Sequence, residues 1–173
     1  QEKLIVLDDL AWEYSFANPD SSLHFAQSEE KLALELRDLE GQMKATASLG
    51  RAYYVKGDLL KALQCFEKAA AKGKELEMDE KAASYLNNAA IIYRNVGDSP
   101  KAIKYYTEAL TLYDKIGEQV KKANTLNNIG VLYKNLGELE PALEYYWQAF
   151  AVYEETGERN NIGNTLSNIG TIQ

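Results

Sequence analysis

The chain has 173 residues, 46% of them hydrophobic and 26% charged, with a formal net charge of −7. That length buries a substantial core, with one domain as the default, and the acidic balance argues against nucleic acid or anionic lipid as a partner, since both need a basic face. One cysteine, Cys65, and one histidine, His24, exclude an internal disulfide and any multi-cysteine or histidine-rich metal site.

The abundance of Ala, Leu, Glu, Lys and Tyr with only three prolines predicts helices. No apolar run approaches the roughly 20 residues of a membrane span. In chain order, Leu7, Leu10, Ala11 and Tyr14 lie on one stripe of a first helix. Asn18-Pro19-Asp20 marks a turn, and Ser22, Ala26, Glu29 and Leu32 run along a second helix. Residues 2–40 thus read as a degenerate first unit, with Trp12 and Phe16 as its unusual members. Terminal units are often atypical because they cap a stack.

The second unit, 41–80, carries Thr46, Leu49, Gly50 and Tyr53, then Ala62, Phe66 and Ala69. The third, 81–120, repeats this with Leu86, Ala89, Ala90 and Tyr93, a break at Gly97-Asp98-Ser99-Pro100, and Ala102, Tyr106, Ala109 and Tyr113. The fourth, 121–160, has Leu126, Ile129, Gly130 and Tyr133, then Gly137 suited to a helix end and Pro141 in the first turn of the next helix. Ala142, Tyr146, Ala149 and Tyr153 complete it. Residues 161–173 offer one first helix with Leu166, Ile169 and Ile172, predicting a fragment cut inside its fifth unit. Their apolar stripe is expected to be covered by a neighbouring chain, giving a possible homo-oligomer through this helix.

Tyr53, Tyr93 and Tyr133 are 40 apart, as are Ala62, Ala102 and Ala142. A fixed period in this range means stacked helix–turn–helix units. Leu126-x-x-Ile129-Gly130-x-x-Tyr133 followed by Ala142-x-x-x-Tyr146 and Ala149 resembles the tetratricopeptide repeat (TPR), in which small residues let paired helices approach. The resemblance implies an all-α fold, a right-handed α-α superhelix of antiparallel helix pairs forming a single array. The closing proline of the family is missing, and the extra residues over the usual 34 are expected to lengthen the second helix and its connection.

The family places binding on the concave wall built from first helices. Carried over position by position, that wall comprises Arg51 and Tyr54, with Lys44, Ala47 and Val55 beside them; Ser84, Asn87, Ile91, Arg94 and Asn95; and Asn124, Asn127, Val131, Lys134 and Asn135. Asn164, Ser167 and Thr171 continue the line. Asn88, Asn128 and Asn168 occupy the family's common asparagine position and are expected to bond within the stack. Asn87 and Asn127 are read as facing the groove, where an amide can bind a peptide backbone; the alternative is a solvated polar face. The lysine clamp of chaperone-tail-binding members is absent, because Ala47, Asn87 and Asn127 stand at those positions.

The opening Leu7-Asp8-Asp9-Leu10-Ala11-Trp12-Glu13-Tyr14 is similar to sensory TPR arrays ahead of sensor kinases or transcriptional regulators in Bacteroidetes-type bacteria. The expected function is a protein- or peptide-binding scaffold, the sensory or interaction region of a larger bacterial signalling protein; the alternative is a structural array with no specific groove ligand. An array of the sensor-kinase kind would be periplasmic, and otherwise cytoplasmic. No phosphate loop, nucleophile elbow or metal-ligand spacing appears, so neither catalysis nor a cofactor nor a metal is expected.

Overall fold

In the computed structural model, which describes residues 2–172, nine α-helices and no strands are found among the described residues. They are α1 (Glu2–Ala17), α2 (Pro19–Glu35), α3 (Leu39–Val55), α4 (Leu59–Glu75), α5 (Asp79–Asn95), α6 (Ser99–Ile116), α7 (Gln119–Asn135), α8 (Leu139–Thr156) and α9 (Arg159–Gly170). The chain divides into two compact units, residues 1–92 and 93–173.

The turns explain the regular beat. Arg37, Gly57, Glu77, Gly97, Gly117, Gly137 and Gly157 all have positive φ, one every twenty residues. A left-handed residue just past a helix lets the chain reverse while satisfying the last carbonyls. Gly137 shows the pattern, since its φ is +79° and its N–H donates to Lys134 O at 3.0 Å. Asn18, Asp38, Asp58 and Asp98 then cap the following helices, each accepting from a backbone N–H three residues on. Helices on both sides of these turns are 16 to 18 residues long from α1 to α8. The extra length over a 34-residue repeat is therefore shared by both helices of a pair, not concentrated in the second as expected. Each link from α2 onward uses the same short left-handed turn, so neither helix has a longer connection to absorb residues.

In the first unit, α1 packs on α2 and α3, and α3 packs on α2 and α4. Ala11, Ala26 and Leu49 meet at one junction, with Leu23, Phe25, Tyr53 and Cys65 around them. Met43, Ala47 and Ala69 meet at the next, with Leu76, Met78 and Tyr85. Close approach is visible at Gly50, where an added Cβ would stand 3.1 Å from Cys65 Cβ. The stripe on α1 differs from the expected one. Leu4, Ala11 and Ser15 are buried and Tyr14 is exposed, because Ser15 turns its hydroxyl back onto Trp12 O at 2.7 Å and fits under the neighbouring helix where a tyrosine would not.

In the second unit, α7 packs on α6 and α8, and α8 on α9. Ala123, Leu126, Ala149 and Tyr153 form one core cluster, and Ala142, Tyr146 and Ile169 form another. Ile169 is only 4% exposed and Ile172 is partly covered by the same cluster. The last helix therefore seats most of its stripe on α8 of its own chain, and Leu166, 44% exposed, is the member left in water. The reason is that α8 offers Tyr146 as a broad floor for Ile169.

Candidate functional site

In the first unit, the inward sides of α1, α3 and α5 enclose a cavity of about 540 Å³. Asp8, Trp12 and Phe16 come from α1, Lys44, Ser48, Arg51 and Tyr54 from α3, and Lys81, Ser84, Tyr85, Asn88 and Ile91 from α5. Helical spacing of three or four places each set on one face. Ser48 organises the polar floor: its hydroxyl donates to Asp8 Oδ1 at 3.0 Å and accepts from Arg51 Nη2 at 3.1 Å. Arg51 also lies 3.8 Å from Asp8 Oδ1 and holds its guanidinium carbon 4.5 Å above the Trp12 ring. Arg51 Nε is shut off from solvent and has no acceptor.

Behind this floor stands Glu29 of α2, 1% exposed, with Oε2 unpartnered. Burial first, and the Asp8 carboxylate second, push its carboxyl up to about 8, while the Ser48 hydroxyl, Arg51 and Lys44 pull the other way. At neutral pH Glu29 therefore holds its proton. Burial also draws Arg51 below its usual value, opposed by Asp8, and pushes Tyr85 up to about 12.

In the second unit, Asn124, Asn127, Asn128, Asn161, Asn164, Thr165 and Tyr153 line a smaller cavity of about 220 Å³. Two of its amides are already engaged. Tyr153 Oη donates to Asn124 Oδ1 at 2.7 Å, and Asn168 Nδ2 donates to Asn127 Oδ1 at 3.3 Å. Two stacked ring pairs, Tyr93–Tyr105 at 5.3 Å and Tyr133–Tyr145 at 5.5 Å, flank first-helix and second-helix contacts in this unit. The hydroxyls of Tyr106 and Tyr146 are buried without a partner.

The expected wall residues are placed as follows. Arg51, Tyr54, Ser84 and Ile91 share the larger cavity, and Asn124 and Asn127 share the smaller one. Asn87, Arg94, Val131 and Lys134 are half-buried, and Asn95 and Asn135 exposed, outside both cavities. Lys134 Nζ donates to Thr171 Oγ1 at 3.3 Å. Asn168 bonds within its unit, to Asn127, and Asn88 and Asn128 each border a cavity. Sequence reasoning missed the participation of Asp8, Trp12, Glu29 and Lys81. One signal was present: Glu29 sits on the apolar stripe of its helix, where a carboxylate is costly unless it is neutral or paired.

Short helical hairpins joined by left-handed links and packed through Gly and Ala place this chain among the TPR-like helical-repeat proteins. The model of the family soluble NSF attachment protein, SNAP, matches residues 42–169, and the chain belongs to that family. No curated protein matches it. Among solved structures, BtubC (BKLC) from P. vanneervenii is 25% identical with a TM-score of 0.85, over 99% of this chain and 70% of its own. A Signal Transduction ATPase with Numerous Domains (STAND) protein with a tetratricopeptide repeat sensor, from Pyrococcus horikoshii, is 19% identical with a TM-score of 0.86. That match covers 98% of this chain and 26% of the larger protein. A Rap protein complexed with competence and sporulation factor is 16% identical with a TM-score of 0.81, over 99% of this chain and 54% of its own. The last two likenesses are likenesses of fold.

Proposed function

We propose that this chain is a scaffold that holds a peptide or protein segment against its first helices, as the sensory or interaction region of a larger signalling or regulatory protein. The observation that carries the reading is the larger cavity, where first-helix residues Arg51, Tyr54, Ser84 and Ile91 meet around one space. Space for a ligand segment lined by an aromatic ring, hydroxyls and a cation is what a peptide site requires. Two similar structures favour the same use of the fold, one bearing a TPR sensor and one complexed with competence and sporulation factor.

Asn87 is a further proposed binding position in the first unit, and Arg94, Asn95, Asn124, Asn127, Val131, Lys134 and Asn135 are proposed positions in the second unit. The repeats at 2–40, 41–80, 81–120 and 121–160, with 161–173 as a partial fifth, act as one array in this reading. The opening segment supports a place in Bacteroidetes-type sensory arrays, which would set the array outside the cytoplasmic membrane. Leu166 offers an apolar contact for a second copy through α9.

The test is selection of a displayed library of extended peptides on the folded chain. Enriched sequences are expected to lose binding on Tyr54→Ala and on the Asn87→Ala/Asn127→Ala pair. A library that shows no enrichment on the wild-type chain would leave a structural array with no groove ligand.

A further inference from the structure

Resting on the peptide-holding reading above, we infer that the larger cavity is a receptor for a peptide carboxylate flanked by an aromatic or branched apolar side chain. Arg51 and Lys81 take the anion, and the exposed rings of α1 take its neighbour.

Charge complementarity is the first argument. The cavity walls carry Lys44, Arg51 and Lys81 against a single carboxylate, Asp8, in a chain whose net charge is −7. Lys44 is already paired with Glu40 at 2.6 Å. Lys81 is exposed and forms no ion pair among the described residues. Arg51 is engaged on one side by Ser48 and Asp8, and its Nε–H points at no acceptor. About a quarter of the Arg51 side chain stays exposed, which lets an incoming carboxylate take a charge-assisted bond from the guanidinium. Glu29, behind the cavity floor, keeps its proton through burial and the Asp8 charge, so the local balance stays positive.

The rings supply the second argument. Trp12 is 58% exposed and Phe16 76% exposed, and both border the cavity. The Arg51 guanidinium covers part of Trp12, which leaves the rest of that ring and Phe16 to water. Amphipathic rings beside a cation take up an apolar side chain adjacent to an anion. A neutral polar segment would leave the exposed Lys81 charge unpaired, and a small anion alone would leave the rings uncovered.

The anion is borne by Asp or Glu within the segment or by a chain terminus; the chemistry is shared and separate probes distinguish the two. Fluorescein-labelled hexapeptides are titrated with the chain by fluorescence anisotropy: a capped Gly-Ser-Glu-Phe-Ser-Gly, its Gln-for-Glu and Ala-for-Phe versions, its phosphoserine-for-Glu version, and an uncapped Gly-Ser-Gly-Ser-Gln-Phe. The Glu-Phe probe is expected to bind about tenfold more tightly than the Gln-Phe and Glu-Ala probes, the scale of one charged hydrogen bond. Tight binding of the uncapped probe instead assigns the anion to a chain terminus. Arg51→Gln and Lys81→Ala are each expected to remove that preference, and Lys81, being exposed, can be replaced without loss of fold.

Affinity for the Glu-Phe probe is also expected to fall as pH rises through about 8 and to become flat in Glu29→Gln. The groups facing Glu29 are Asp8 from α1, Ser48, Arg51 and Lys44 from α3, and Tyr85 from α5, whose phenol stays protonated across that range. Glu, Gln and uncapped probes that all bind alike, or a phosphoserine probe that outbinds both carboxylate probes, would overturn the inference while leaving the scaffold reading intact. If no hexapeptide binds but the displayed library is enriched, only this inference fails; if neither binds, both do.

Discussion

Tyr153 Oη donates to Asn124 Oδ1 at 2.7 Å, tying α8 to α7 across the packed face of their hairpin. Tyr146, two turns earlier on α8, is equally buried but its hydroxyl has no partner. The two tyrosines therefore respond differently to loss of the same atom. Tyr153→Phe is expected to cost about 1 kcal/mol, the net worth of the lost bond. Tyr146→Phe is expected to cost nothing or to stabilise slightly. Urea midpoints of the two variants check this, and equal losses would refute it.

Gly130 faces the Tyr146 ring so closely that an added Cβ would stand 2.6 Å from it. Gly130→Leu must displace the ring and is expected to cost about 1–3 kcal/mol or more. Asn135→Leu, at the exposed end of the same helix, is expected to change stability by less than about 0.5 kcal/mol. Thermal melts of the pair measure the contrast.

Glu29 makes stability depend on pH in an unusual direction for a carboxylate. Its folded value, about 8, lies above the ordinary 4.5. Between these two values the unfolded chain releases the proton and the folded chain keeps it. Stability is thus fully present below about pH 4.5 as far as this group is concerned, and declines by up to about 1.4 kcal/mol per pH unit until pH 8. Glu29→Gln is expected to remove that decline and to be more stable than the wild type at pH 8. Denaturation at pH 5 and pH 8 supplies the measurement, with parallel pH profiles as the contrary result.

Glu77 holds φ at +56° at a position where five of the equivalent turns use glycine. A side chain in the left-handed region costs roughly 1 kcal/mol. Glu77→Gly is expected to recover part of that, shifting the urea midpoint upward, whereas Gly97→Glu is expected to lower it.

The helices and their turns were legible in the sequence because each depends on neighbours close along the chain. The 40-residue recurrence of small residues and tyrosines, and Gly137 and Pro141 at a break, require only local steric reasoning. First-helix residues such as Arg51 and Ser84 came instead from the resemblance to the tetratricopeptide family, carried over position by position. The equal lengths of paired helices were not legible, because Arg37 and Glu77 take left-handed turns without the glycine that would have announced them.

By itself, the sequence determined an all-helical chain of paired helices, since helical periodicity and turn residues are properties of short segments. Only the tertiary structure decided that Glu29 keeps its proton, that Arg51 rests on Trp12 with an open donor, and that Ile169 is covered by α8. Those outcomes depend on which helices come together and how much water they exclude, and residues 21 or more positions apart enter such contacts only through the fold.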